Sequence, residues 1–113
     1  MEITESKSGT ALVLSFVGRL DAASCNGAQA RVNALIDAGE RQVVMDLERL
    51  NYISSAGLRV FMTAARRLKP LGGQLAFCSL QTSTQELFEI SGFASLFPQF
   101  PTQKEALKAV AKG

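Results

Sequence analysis

Two adjacent serines, Ser54 and Ser55, are the residues of this chain whose type and position best suit chemistry. They follow an apolar run at residues 43–47 and precede a helical pattern, so they fall where a strand gives way to a helix. The region outside the carboxyl end of a strand is where open α/β sheets place their functional sites. Serine is also among the best residues for capping a helix, and a cap alone would account for one hydroxyl.

The alternative to a simple cap is a regulatory phosphorylation site. A phosphoserine adds about −1.5 to −2 charges and three acceptor oxygens, and the amides and dipole of a helix N-terminus tolerate that charge. A partner packed against the neutral surface would then have to desolvate the new charge. Gly57 lies in the first turn, where glycine costs roughly 1 kcal/mol against alanine and leaves the turn open to close approach by a partner. The residues alone leave both interpretations open.

The composition argues against most enzyme mechanisms. The 113 residues contain no histidine, which removes the Ser-His-Asp and Cys-His relays and the commonest metal ligand. The sequence has no phosphate-binding GxxxxGK[ST] loop and no cluster with metal-ligand spacing, so we expect neither enzyme activity nor a cofactor. The formal net charge of +2 is too small to indicate direct binding of nucleic acid. Cys25 and Cys78 form no CxxC pair, and we expect both to be free thiols.

The length and the apolar pattern predict one domain that spans residues 1–113. No apolar run approaches the ~20 residues of a membrane span, so we expect no membrane insertion. The N-terminal segment is polar and acidic, unlike a secretory signal, and together with the free thiols it indicates the cytoplasm.

Hydrophobic periodicity predicts an α/β layer fold, because two strands are followed by repeated alternation of helix and strand. We expect a mixed sheet of about four to five strands with about four helices. The strands near Val43 and Leu75 should pair in parallel through a right-handed crossover. The predicted strands are residues 1–6, 10–17, 42–47 and 74–79, with a helix at 22–38, a helix through Leu68, a helix from about Ser83 to Gly92 and a last helix after Thr102.

Side-chain caps are expected at three of these helices. Asp21 would cap the helix that starts at Ala22. Ser83 with Glu86, and Thr102 with Glu105, have the spacing of capping boxes.

Four motifs together resemble the STAS domain family, and more closely the bacterial anti-sigma factor antagonists. The run VVMDL at 43–47 followed by YISSAGLRV at 52–60 is similar to the family signature. VGRLD at 17–21 resembles the family's Gly-x-Leu-Asp motif, and GGQL at 72–75 and LFEISGF at 87–93 are also similar. The resemblance covers nearly the whole chain in the right order, and it implies a STAS-like fold.

The resemblance implies a function called partner switching. An unphosphorylated antagonist of this family binds an anti-sigma factor that is also a serine protein kinase, and binding frees the sigma factor. The kinase phosphorylates the antagonist, which lets go, and a PP2C-type serine phosphatase resets it. The antagonist itself performs no catalysis, and we expect a monomer or weak dimer.

The family motif also implies site residues. Aligning Gly57 and Leu58 with the motif puts the phosphoacceptor at Ser55, with Ser54 as the alternative. Ser54 stands where the best-known members have aspartate, and Ala56 where they have a second hydroxyl. The residues expected at the partner surface are Asp21, Tyr52, Ser54, Ala56, Gly57 and Arg59.

A second function stays open at this point. STAS domains also serve as subunits of transport systems, for example lipid-trafficking ABC transporters, where the domain binds the ATPase and needs no phosphorylation. The serine at position 55 favours switching over this alternative.

Overall fold

A mixed six-stranded sheet organises the chain in the computed structural model, which describes residues 1–111. The strands are β1 (Glu2–Ser8), β2 (Ala11–Leu20), β3 (Gln42–Asp46), β4 (Leu50–Ile53), β5 (Gln74–Cys78) and β6 (Gln99–Phe100). The helices are α1 (Cys25–Asp37), α2 (Ser55–Leu68), α3 (Thr82–Ile90) and α4 (Gln103–Ala111). The sheet order is β1-β2-β3-β5-β6, with β4 paired to β2. Only β1 and β2 are antiparallel, and the other pairings are parallel.

The predicted α/β fold is confirmed, and so is the parallel pairing in which Val43 lies opposite Leu75. The sheet has six strands rather than four or five, because the short strands β4 and β6 lie outside the four predicted strands. In β4, Leu50 and Ile53 are buried while the two residues between them are exposed. That pattern is too short to distinguish from a loop in the sequence.

Strand β2 has two parallel partners. Its first part, up to Ser15, pairs with β3, and its end, from Gly18 to Leu20, pairs with β4. A bulge interrupts the second pairing, because Gly18 lies opposite Leu50 and Arg19 lies opposite Tyr52, which leaves Asn51 of β4 as the extra residue. Gly18 has φ +104°, in the region that side chains rarely adopt. Its N–H donates to the Arg49 carbonyl at 3.0 Å. The bulge brings Leu20 alongside Ile53, directly before α2.

The core fills both faces of the sheet. On one face, α1, α2 and α3 cover the larger cluster, in which the wholly buried rings of Phe16, Phe61, Phe77 and Phe88 make edge contacts. On the other face, α4 packs Ala106 and Val110 against β2, β3 and β5. The face that carries α1, α2 and α3 is therefore where the start of α2 is held.

The helix starts differ from the predicted caps in two places. Helix α1 begins at Cys25 after Ser24, later than the predicted start at Ala22. Asp21 makes the predicted capping contacts to the Ala23 and Ser24 N–H groups, but it caps the turn before α1. Helix α3 begins at Thr82 after Gln81, with no side-chain cap. The capping box expected at Ser83 is wrong because that serine is already inside the helix.

The third predicted cap is confirmed. Thr102 accepts a hydrogen bond from the Glu105 N–H at 3.3 Å, and its hydroxyl donates to the Glu105 carboxylate at 3.2 Å.

The Cys78 thiol is expected to be unreactive in the folded protein. Burial, and then the charge of Asp46, raise its pKa from 9.0 to about 11. One equivalent of a thiol reagent such as DTNB should react at pH 8, at the half-buried Cys25, and the second only in denaturant. Because the folded pKa lies above the unfolded one, this group's contribution to stability is lost as the pH rises from about 9 to about 11. Rapid reaction of both thiols in buffer would contradict this.

Candidate functional site

The start of α2 is held in place by Ser54. Its Oγ accepts a hydrogen bond from the Gly57 N–H at 3.2 Å, which makes it the N-cap of the helix. The Ser54 N–H donates to the Leu20 carbonyl at 3.0 Å, and the Ser54 carbonyl accepts from the Leu58 N–H at 3.0 Å. This serine therefore ties the helix start to the end of β2.

The neighbouring hydroxyl, on Ser55, is free. Ser55 is the first residue of α2 and is exposed, and its side chain makes no hydrogen bond within residues 1–111. The two serines thus differ in role, because the Ser54 hydroxyl stabilises the helix and the Ser55 hydroxyl faces solvent.

Gly57 is buried, and close packing inside the domain explains why this position holds glycine. A Cβ at this position would lie 2.6 Å from the Leu20 carbonyl oxygen and 2.8 Å from Cγ1 of Ile53. Only glycine allows α2 to approach β2 and β4 this closely. The expectation that this glycine leaves the turn open to a partner is corrected, because its α-carbon faces the interior.

The Ser55 groove is an open depression of about 640 Å³ between the starts of α2 and α3. Ser54, Ser55 and Ala56 line one side, and Ser83 and Leu87 line the other, with Tyr52 at one end. Because two helices begin here, their partial positive charges face the same space. The groove has no acidic lining residue, so it suits a neutral or acidic partner surface.

Asp21 and Tyr52 belong to a cluster organised by Arg19, which the sequence analysis did not single out. The Arg19 guanidinium lies 4.2 Å from the centre of the Tyr52 ring, and its Nε is 3.6 Å from the Asp21 carboxylate. Tyr52 is 42% exposed, so its ring is accessible to solvent, as the partner-surface expectation requires. The sequence did carry a signal for this cluster, because two charged residues, Arg19 and Asp21, alternate at the end of a predicted strand.

The Asp21 carboxylate accepts hydrogen bonds from the N–H groups of Ala23 and Ser24, and so shapes the turn before α1. Desolvation raises the pKa of Asp21, but hydrogen bonds from Ser24 and Ala23 and the Arg19 charge outweigh it and hold the pKa below its ordinary value. The charged form therefore stabilises this turn, and that contribution is lost as the pH falls through the lowered pKa.

Arg59 lies on the other side of Ser55, in a second depression. This Arg59 groove, about 510 Å³, is lined by Ser55, Arg59, Met62, Arg66 and Ser91. Arg59 is exposed, and neither Arg59 nor Arg66 forms an ion pair within residues 1–111. The structure thus places Ser55 between two grooves.

Arg67 has a different role from these two arginines. Its guanidinium pairs with Asp37 and donates to the Asn33 carbonyl, which joins α2 to α1. This residue belongs to the scaffold.

Thr84, on the wall of the Ser55 groove, carries a buried hydroxyl without a hydrogen-bond partner among residues 1–111. The residue is 1% exposed. Because an unsatisfied buried polar group costs about 1–3 kcal/mol, Thr84→Val should raise the free energy of unfolding by roughly 1 kcal/mol. Urea denaturation measures this, with the exposed Thr82→Val as the matched control expected within about 0.5 kcal/mol of wild type. A loss of stability in Thr84→Val would show that the hydroxyl has a partner.

Two chemical possibilities find no support within residues 1–111. No group of three or more Cys, Asp or Glu side chains there could hold a metal ion. None of the helices in the same range is long and apolar enough to cross a membrane.

Comparisons with known proteins agree with the geometry. A family model described as the STAS domain matches residues 2–106. A relative from Bordetella bronchiseptica, named as the anti-sigma factor antagonist BtrV, is 41% identical over 109 residues, which cover 96% of this chain and 94% of the relative.

Solved structures share the fold over nearly the whole chain. An anti-sigma-factor antagonist (STAS) domain protein from Planctomyces limnophilus has a TM-score of 0.84 and 25% identity, covering 96% of this chain and 97% of that one. The phosphorylated form of the Bacillus cell fate determinant SpoIIAA has a TM-score of 0.76 and 20% identity, covering 96% and 99%.

Proposed function

This chain belongs to the STAS domain family, and on that premise we propose that it is an anti-sigma factor antagonist switched by phosphorylation of Ser55. The unphosphorylated domain binds an anti-sigma factor that is also a serine kinase, and so frees a sigma factor in the bacterial cytoplasm. The phosphorylated domain is released, and a PP2C-type phosphatase resets it. The domain acts by binding and not by catalysis, and contacts no nucleic acid itself.

The single observation that carries this proposal is the contrast between the two serines. Ser54 is engaged as the N-cap, while the Ser55 hydroxyl is exposed and free within residues 1–111. A kinase can reach Ser55 without unwinding α2, so Ser55 is the better acceptor. The name of the Bordetella relative supports the class of partner.

The chemistry of the switch follows from this position. The kinase transfers the γ-phosphoryl group of ATP to Ser55, forming an Oγ–P bond as the bond to ADP breaks and the hydroxyl proton departs. The new dianion lies at the start of α2, where free N–H groups and the helix dipole accommodate it. The fold therefore tolerates the modification, while a partner bound over Ser55 does not.

The test combines capture with site mapping. Wild type and the variants Ser55→Ala, Ser55→Asp and Ser54→Ala are used as baits in lysate of the native cell, and the captured proteins are identified by mass spectrometry. We expect wild type, Ser55→Ala and Ser54→Ala to capture an anti-sigma factor of the GHKL kinase type, and Ser55→Asp to lose it. With the purified kinase and ATP, phosphate should appear on Ser55 and be absent from Ser55→Ala.

Two outcomes would contradict the proposal. Phosphate on Ser54 alone would move the switch to the capping residue. Equal capture of a transporter ATPase by all four baits would favour a transport subunit and leave Ser55 without a regulatory role.

A further inference from the structure

Two apolar residues of α3, Leu87 and Ile90, lie beside the Ser55 groove. They share one side of the helix with Ser83, because the three positions are four and three residues apart. Ser83 and Leu87 line the groove, and Ile90 is 84% exposed. Of the three apolar residues Leu87, Phe88 and Ile90, only Phe88 is fully buried. A scattered exposed apolar side chain needs no explanation, but Ile90 lies one helical turn from Leu87, which lines the Ser55 groove.

On the other side of Ser55, the Arg59 groove carries positive charge and has no acidic lining residue. Helix α2 has no Asp or Glu, and Arg59 and Arg66 both line the Arg59 groove together with Ser55. The acids of α3, Glu86 and Glu89, line neither groove. With the two helix starts added, the surface around Ser55 is apolar on one side and positive on the other.

We propose that this surface binds an acidic amphipathic segment of the anti-sigma factor, with an apolar residue against Leu87 and Ile90 and carboxylates facing Arg59 and Arg66. The inference rests on the function proposed above and extends its partner surface to Arg66, Leu87 and Ile90. Charge complementarity selects this occupant, because unpaired arginines beside an apolar patch favour carboxylates beside an apolar anchor. It also explains release, since phosphate on Ser55 repels those carboxylates and competes with them for Arg59.

The experiment measures binding kinetics with the purified anti-sigma factor at about 50 mM and about 300 mM salt, which changes the screening length by about 2.5-fold. The double variant Arg59→Glu/Arg66→Glu should lower the association rate constant by about tenfold or more at low salt and flatten its salt dependence. Ile90→Asp should raise the dissociation rate constant by about tenfold, because it places a charge in the apolar contact.

Two matched controls separate this surface from general effects of charge or polarity. Lys104→Glu reverses an exposed cation on α4, on the opposite face of the sheet, and Leu71→Asp changes a 48% exposed leucine beyond the end of α2. Both should bind with rate constants within about twofold of wild type. Thermal unfolding confirms that each variant is folded.

The results distinguish this inference from the proposed function. If wild type binds the anti-sigma factor and both surface variants keep wild-type rate constants, the inference is overturned while the proposed function stands. If wild type binds no anti-sigma factor, the proposed function fails and this surface assignment falls with it.

Discussion

Phosphorylation of Ser55 is expected to weaken the affinity for the anti-sigma factor by about 30-fold to 1,000-fold. The estimate follows from about 2–4 kcal/mol for a charge desolvated against a partner without a counter-charge, at 1.4 kcal/mol per tenfold. The exposed Ser55 hydroxyl lies between two grooves that lack acidic lining residues. A partner that covers this position must remove water from the phosphate once Ser55 is phosphorylated. Isothermal titration calorimetry on the unphosphorylated and the stoichiometrically phosphorylated protein measures the difference.

The adjacent serine provides the control for this result. Ser54→Ala removes the N-cap, so it should lower the free energy of unfolding by about 1 kcal/mol and change the affinity by less than about twofold. Ser55→Ala should change neither quantity appreciably, because its hydroxyl has no partner within residues 1–111. Equal affinity of the phosphorylated and unphosphorylated proteins would contradict a switch at Ser55.

Gly57→Ala is expected to lower the free energy of unfolding by about 1–3 kcal/mol, the usual cost of overpacking a tight contact. The added methyl group would lie 2.6 Å from the Leu20 carbonyl oxygen, a backbone atom that cannot rotate away. The start of α2 must therefore move outward and displace Ser54 from its hydrogen bond with the Leu20 carbonyl. Urea denaturation gives the stability, and partner affinity should fall as well because Ser55 moves with the helix.

Gly27→Ala is the matched control, because it makes the same chemical change in another helix. A Cβ at Gly27 would meet nothing within 4 Å, and this residue is exposed in α1. Alanine should stabilise that helix by about 0.5–1 kcal/mol. Equal effects of the two substitutions, with the same sign, would show that helix propensity and not the contact with Leu20 determines the result.

The departure from the family motif at Ser54 has a structural explanation. The resemblance places Ser54 where the best-known members carry aspartate, and both residues are strong N-caps. Ser54 performs that capping role here, with its Oγ 3.2 Å from the Gly57 nitrogen. The substitution keeps the helix start and removes one negative charge beside Ser55.

Local pattern was enough to predict four of the six strands and the four helices in their order, and it is the basis on which the candidate site is placed. The apolar run that became β3 and the helical spacing of α2 are properties of neighbouring residues, so they can be seen in one segment at a time. The parallel pairing of the Val43 and Leu75 strands followed from the helix that connects them, because a helical crossover joins parallel strands. The site at Ser54 and Ser55 followed from its place after a buried strand.

Tertiary structure decided which role each site residue has. Gly57 is required because Leu20, which is 37 positions away in sequence (57 − 20), lies against it. Strand β4 forms because the end of β2 extends beyond its pairing with β3 and lies alongside β4. Ile90 is exposed because it lies on the opposite side of α3 from Phe88, the residue through which the helix packs into the core. These outcomes depend on contacts between distant segments, and helical or strand periodicity records only that a side chain is apolar, not which surface it meets.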